Sequence, residues 1–294
     1  MGKNFTDRDG FIWFNGKFVP WREAKTHIIT QGLHYGSAVF EGERAYNGII
    51  FKSKEHTDRL FNSAEIVGME IPYSKEEVNS AKNELLVKMN FKSCYIRPLV
   101  WRGGEQMGIS TTKSDINVSI SAWEDWTSYF KMEDRLAGIK LITSPWKRPA
   151  PDSSPYEAKS SGVYVICTMS KEFAEKKGFH DALMLDHRNF VAEGTGANIF
   201  FIKGKKIDTP IPDCFLNGIT RQAVIQMLKK QGFEINERYI KPEEIKNYDE
   251  AFLTGTAAEV TPIRSIDDKK FLVGEDTTTF KLLNDFSDLV NSSL

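Results

Sequence analysis

Two asparagine-glycine pairs, each set inside alternating apolar residues, restrict this chain more than any other local feature. The stretch "FIWFNGKFVPW" centres on Asn15-Gly16 and "AVFEGERAYNGIIF" turns at Asn47-Gly48. A two-residue hairpin turn needs consecutive positive φ angles, which Asn-Gly supplies, so each pair folds its flanking strands back antiparallel. After the second pair, "SKEHTDRLFNSAEIVG" changes to helical spacing, with Leu60, Phe61, Ala64 and Val67 on one face and Gly68 as a stop. Ser74 and Glu77 form a capping box ahead of a helix carrying Val78, Ala81, Leu85 and Met89. "CYIRPLVW" and "INVSISAW" read as strands, the first expected to be bent or at a sheet edge because Pro98 cannot donate to a ladder. Residues 1–124 thus read as the smaller, N-terminal α+β domain.

The pattern lapses from Glu124 to Asp134 in "EDWTSYFKMED", which places an interdomain connection at residues 125–135. Residues 136–294 read as a larger α+β domain. Its strands are "GIKLITSPW", "DALMLD", "FVAEGT", "NIFFIK" and "KKIDTP", and its helices fall at about 219–231 and 278–291 with a short strand "EAFLT" between them. The strands follow one another too closely for regular βαβ winding.

Bulk properties exclude several function classes. The 294 residues carry a formal net charge of −1, so no electrostatic case exists for nucleic acid or an anionic membrane surface. No eighteen apolar residues run together, and the polar start "MGKNFTDRDG" lacks the core of a signal peptide. Cys94, Cys167 and Cys214 are odd in number and far apart, which fits a reducing cytoplasm and leaves no disulfide or metal framework to draw. Gly2 and Thr6 satisfy a myristoylation template too short to carry weight. The sequons at Asn4, Asn117 and Asn291 matter only in a secreted protein. Small-molecule chemistry is the default.

Five features could carry it. The helix beginning in "NGITRQAV" is entered through Gly218, Ile219 and Thr220, where free first-turn amides and a hydroxyl suit a phosphate; a plain helix cap satisfies the same residues. "TGTAAEVTP" runs a strand into Gly255, Thr256, Ala257 and Ala258, whose amides can form an anion nest or merely a tight turn. Arg59 could add a fixed positive charge to a phosphate. Glu193, in "FVAEGTGANIFF", ends an apolar strand, where a buried carboxylate needs a protonated heterocyclic nitrogen or a nearby arginine. Lys159, in "EAKSSGVY", is a lysine among small side chains. Two phosphate nests, a buried carboxylate and such a lysine are together the parts that hold pyridoxal phosphate as a Schiff base.

"LHYGSAVFEGERAY", "HTDRL", "YIRPL", "EAKSSGVY", "EGTGANIFF", "NGITRQA" and "GTAAEVTPIRS" occur in the order and spacing of the class IV aminotransferases. The chain resembles that family over nearly its whole length, and within it the branched-chain group. The resemblance implies a two-domain fold type IV architecture with the cofactor at the domain interface. It implies that Lys159 carries pyridoxal 5'-phosphate and moves the proton between substrate Cα and cofactor C4′. Tyr164 would meet the phenolic oxygen and Glu193 the pyridine nitrogen, while Arg59, Ile219, Thr220 and Thr256 would hold the phosphate. Tyr95, with the amides of Thr256 and Ala257, would take the substrate α-carboxylate. Arg97 would meet the second carboxylate of glutamate, and Phe40, Tyr164 and Tyr35 would form the apolar pocket. Tyr35 and the loop from Met107 to Ile109 would reach a neighbouring subunit, so at least a homodimer is implied.

The reaction implied is ping-pong transamination of leucine, isoleucine and valine with 2-oxoglutarate and glutamate. D-amino-acid aminotransferase, R-selective amine transaminase, aminodeoxychorismate lyase and a non-catalytic pyridoxal-phosphate-binding protein are the alternatives. "YIRPLVWRGGEQMG", with Tyr95, Arg97 and Met107 to Ile109, favours the branched-chain group. The sequence departs from the family pattern at Val163, Ala197 and Asn217, and Glu43 adds a charge expected near the pocket entrance.

Overall fold

Asn15 and Gly16 sit at φ 46° and 84°, and Asn47 and Gly48 at 50° and 85°, so both pairs make the turns their sequence demands. The computed structural model describes residues 4–124 and 130–292. Residues 125–129 of the expected interdomain connection lie outside the described residues; its remainder includes the start of the helix Met132–Ala137. The chain forms two compact units. One comprises the described residues up to 124 together with Ala158–Gly162, and the other the described residues from 130 to 157 and from 163 to 292.

The first unit is a seven-stranded antiparallel sheet. Its path runs Lys17–Pro20, Phe11–Phe14, Ile116–Trp123, Cys94–Arg102, Glu43–Tyr46, Ile49–Ile50, with Ala38–Phe40 also on Cys94–Arg102. Helices Ser53–Ile66 and Lys75–Met89 pack on it, the second started by the Ser74–Glu77 capping box. Leu60, Val78 and Leu85 from the helices meet Val39, Ile96 and Ile120 from the sheet in one apolar core.

Cys94–Arg102 is central, not the edge strand that Pro98 suggested. The reason is a break in its neighbour: residues 41–42 separate two short strands opposite Pro98, and the Pro98 carbonyl accepts there from Glu41 N at 2.9 Å. N–H and C=O of one strand residue point the same way, so the missing donor faces this break and no ladder bond is lost.

The second unit holds a nine-stranded mixed sheet. It runs Val191–Glu193, Asp181–Asp186, Ile139–Arg148, Glu259–Ile266, Glu250–Gly255, Asn198–Lys203, Lys206–Pro210, Glu234–Arg238, with Lys269–Lys270 on Glu259–Ile266. Glu193 pairs with Asn198 as well, closing the first six of these strands into a ring. Two crossovers are parallel and helical, through Val165–Lys176 and Ile219–Lys230. The first of these helices has no counterpart in the sequence reading, because its buried face is Cys167, Ser170 and Ala174 rather than large apolar residues. Helix Thr278–Asn291 falls where the periodicity put it. Among the described residues no helix is long and apolar enough to cross a membrane, and the three cysteines are buried and unbridged.

Candidate active site

Lys159 lies on the five-residue segment that joins the first unit, and that unit grips its backbone from two sides. Its carbonyl accepts from Phe40 N at 3.1 Å, its N–H donates to Ser63 Oγ at 3.0 Å, and Ser160 bridges to Val39. Strand Ala38–Phe40 and helix Ser53–Ile66 therefore fix where the amine can reach. Lys159 Nζ lies 4.9 Å from the centroid of the Phe40 ring, a half-buried aromatic face that also carries the Arg97 guanidinium at 4.7 Å.

Arg59 stands on the same helix. Its Nε and Nη2 donate to the two oxygens of Glu41 at 2.6 and 2.9 Å, a fork that leaves the guanidinium plane little freedom. His56 Nδ1 reaches Glu41 Oε2 at 2.7 Å. Burial alone would push the Glu41 carboxyl up, but Arg59 and His56 hold it well below the ordinary carboxylate range. Lys159 is lowered to about 8, first by burial of its ammonium and next by Arg59, with Glu41 and Tyr95 opposing and Arg97 adding to the fall. A lysine so placed offers a neutral amine near neutral pH.

Tyr95 is buried on the central strand, its hydroxyl accepting from Arg97 Nη2 at 3.0 Å. Gly42 makes room for it: a Cβ there would lie 1.9 Å from the Tyr95 oxygen. Tyr95, Arg97, Phe40, Arg59 and Lys159 are thus assembled within one unit. Tyr35, Met107 and Ile109 are exposed on that unit. Glu43 is not a charge at a pocket entrance. It is fully buried with Lys82, Nζ to carboxylate at 2.9 Å, because its strand turns that side chain toward helix Lys75–Met89.

In the second unit Glu193 is almost wholly buried, with Arg148 and Asn198 among its partners. Arg148 Nε lies 3.5 Å from its Oε1, and Asn198 Nδ2 donates to its Oε2 at 3.2 Å. Asn198 also donates to Leu216 O and accepts from Gly218 N at 3.1 Å, tying the carboxylate to the start of helix Ile219–Lys230. A Cβ on Gly218 would stand 2.3 Å from the Asn198 oxygen, so glycine is what lets the two approach. Ile219 and Thr220 are buried at the first turn of that helix, with no side chain capping it. Thr256 and Ala257 occupy the half-buried turn between strands Glu250–Gly255 and Glu259–Ile266. Tyr164 is half-buried at the entry of helix Val165–Lys176. The arginine partner expected as one option for Glu193 is present, as Arg148.

Glu41, His56, Arg148 and Asn198 escaped the sequence reading. Glu41 carried the same signal as Glu193, a carboxylate inside an apolar run, and His56 lies three residues before Arg59 on one helix face.

The first unit holds a lysine of lowered basicity and an arginine clamped by a buried carboxylate. The second holds a buried carboxylate linked through Asn198 to the start of a helix and, separately, a turn of small residues. Residues 38–266 match the family model described as amino-transferase class IV, and the chain belongs to that family. It is 44% identical over 293 residues to the branched-chain-amino-acid aminotransferase of Pseudomonas aeruginosa, covering 98% of this chain and 95% of that one. Among solved structures, the branched-chain amino acid aminotransferase of Escherichia coli superposes with TM-score 0.92 at 35% identity, covering 97% of this chain and 96% of that one. A second, the T.th. branched-chain amino acid aminotransferase complexed with N-(5'-phosphopyridoxyl)-L-glutamate, gives 0.89 at 37% identity, covering 98% of this chain and 96% of that one.

Proposed function

We propose that this chain transfers the amino group of L-leucine, L-isoleucine or L-valine to 2-oxoglutarate, returning glutamate, in a ping-pong cycle with pyridoxal 5'-phosphate as the carrier. The observation that carries this reading is Lys159, an amine lowered to about 8 and held over Phe40 beside an arginine that Glu41 has fixed. Near that pH a large fraction is neutral, so Nζ can take a proton from the substrate Cα and return it.

The cofactor, when bound, supplies an electron sink for the charge that develops at the substrate Cα. Arg59, the first-turn amides of Ile219 and Thr220, and Thr256 are assigned to its phosphate. Glu193, faced by Arg148 at 3.5 Å and accepting from Asn198 at 3.2 Å, is assigned to the ring nitrogen, and Tyr164 to the phenolic oxygen. Tyr95, with the amides of Thr256 and Ala257, is assigned to the α-carboxylate. Phe40 and Tyr164 are assigned to the apolar wall for a branched side chain, and Arg97 over Phe40 offers the second carboxylate of glutamate a partner. The glutamate adduct of the T.th. enzyme supports that double use.

A homodimer or larger homo-oligomer belongs to this reading. It is supported by exposed apolar residues on the first unit, among them Leu33, Tyr35, Met107 and Ile109, the last 85% exposed. We place the protein in the cytoplasm, a reading supported by its unbridged cysteines.

The test is a half-reaction. Protein loaded with pyridoxal phosphate is mixed with L-leucine or with D-alanine while the visible band of the bound cofactor is followed. Loss of the band with L-leucine alone supports the assignment. Loss with D-alanine alone transfers it to D-amino acids, and a protein that shows no visible band on loading overturns it.

A further inference from the structure

Glu41 is wholly buried, yet none of the assigned contacts to substrate or cofactor uses it. Arg59 Nε holds one of its oxygens at 2.6 Å, and Arg59 Nη2 at 2.9 Å, His56 Nδ1 at 2.7 Å and Gly42 N at 3.3 Å hold the other. Its backbone is fixed too, since Glu41 N donates to Pro98 O and the preceding Phe40 N donates to Lys159 O. On the helix opposite, His56, Arg59 and Ser63 follow one another at spacings that share a face, and Ser63 accepts from Lys159 N. One helix face thus holds the Lys159 backbone and, through Glu41, the guanidinium beside the Lys159 side chain.

A buried ion pair is a poor device for stability alone, because apolar residues of similar volume serve as well or better. A fork of two charge-assisted bonds does something they cannot: it fixes the plane and position of an arginine. We propose that Glu41 is the positioning residue of this site, holding Arg59 so that its guanidinium both meets the phosphate of the cofactor and stands beside the Lys159 amine. This rests on the cofactor reading given above.

Among the described residues, the groups that act on that amine include Arg59 from the helix, Tyr95 and Arg97 from strand Cys94–Arg102, and Glu41 from the break between the short strands. His56 reaches Glu41, and Glu43 is closed off in its pair with Lys82. Arg59 and Arg97 lower the amine's proton affinity, while Glu41 and Tyr95 raise it. Removing the Glu41 charge must therefore move the amine further down. Loss of packing would move it up, toward a solvated lysine, so the sign separates a positioning role from a purely structural one.

The experiment uses Glu41→Gln and Glu41→Asp in the full chain. Two quantities are read: the pH midpoint for acylation of Lys159 in the cofactor-free protein, by peptide mapping, and the Kd for pyridoxal 5'-phosphate against that for pyridoxal. In Glu41→Gln the midpoint falls by roughly one pH unit. The Kd for pyridoxal phosphate rises about tenfold while that for pyridoxal stays, because one charged acceptor of the fork is gone. Glu41→Asp keeps the charge and so the midpoint, while its shorter reach weakens the phosphate preference. An unchanged midpoint and an unchanged preference in Glu41→Gln overturn the proposal, as does a midpoint that rises. A wild-type protein that binds pyridoxal phosphate no better than pyridoxal overturns the phosphate assignment of Arg59 instead, and the midpoint alone then decides the role of Glu41.

Discussion

Arg148 and Glu193 face each other inside the second unit, guanidinium to carboxylate at 3.5 Å, with 4% and 11% of their side chains exposed. Arg148 also donates to Cys167 Sγ and to Cys214 O, so the arginine is anchored independently of the acid. Burial would lower its pKa, but the Glu193 charge keeps it raised. Replacing Arg148 with leucine leaves Glu193 buried without its counter-charge, which costs about 3 kcal/mol. Urea unfolding of the cofactor-free variant should show a lower midpoint at neutral pH. An unchanged midpoint would remove Arg148 from the account.

Lys159 makes the stability of the cofactor-free protein depend on pH. The amine titrates at the ordinary 10.5 in the unfolded chain and at about 8 in the folded one, so between these values the unfolded state binds the extra proton. The penalty on folding is full below pH 8 and is relieved as the pH rises toward 10.5. Discounted for partial exposure, it is about 2 kcal/mol. Lys159→Met should therefore melt higher than wild type at pH 7, with the advantage gone only above about pH 10.5. A constant difference across that range contradicts the lowered amine.

Gly42→Ala places a methyl where the Tyr95 hydroxyl now sits and forces it away from Arg97. The expected cost is about 2 kcal/mol of stability from overpacking. Steady-state kinetics should show KM for 2-oxoglutarate raised about tenfold with kcat less affected, since a bond that orients the carboxylate group is lost. Wild-type KM values in this variant would mean that Tyr95 and Arg97 do not act together.

Glu43 and Lys82 are fully buried as a pair, with Thr57 Oγ1 also accepting from Lys82. Lys82→Met alone leaves a buried carboxylate whose pKa burial already raises, and should cost about 3 to 5 kcal/mol. Adding Glu43→Leu should recover most of it. A double variant as unstable as the single would show that the pair contributes more than mutual compensation.

What the sequence made legible was local. The Asn-Gly turns, the Ser74–Glu77 box and helix Thr278–Asn291 depend on residues adjacent in the chain, and each formed where its pattern lay. Pro98 misled because the gap that accommodates it is made by Glu41–Gly42, far away in sequence. Helix Val165–Lys176 was hidden by the small and polar residues on its buried face. Residue pattern and family resemblance both pointed to Lys159, Arg59 and Glu193, but not to Glu41, Arg148 or Asn198, whose role lies only in what they hold across the fold.

Whether Lys159 does the chemistry is decided by a single-turnover L-leucine half-reaction, comparing wild type with Lys159→Ala after both have been loaded with pyridoxal phosphate. The variant should convert the bound cofactor slower by roughly three orders of magnitude, because the amine assigned to move the Cα proton is gone. A variant that turns over as fast as wild type would mean that Lys159 is not the residue this chemistry depends on.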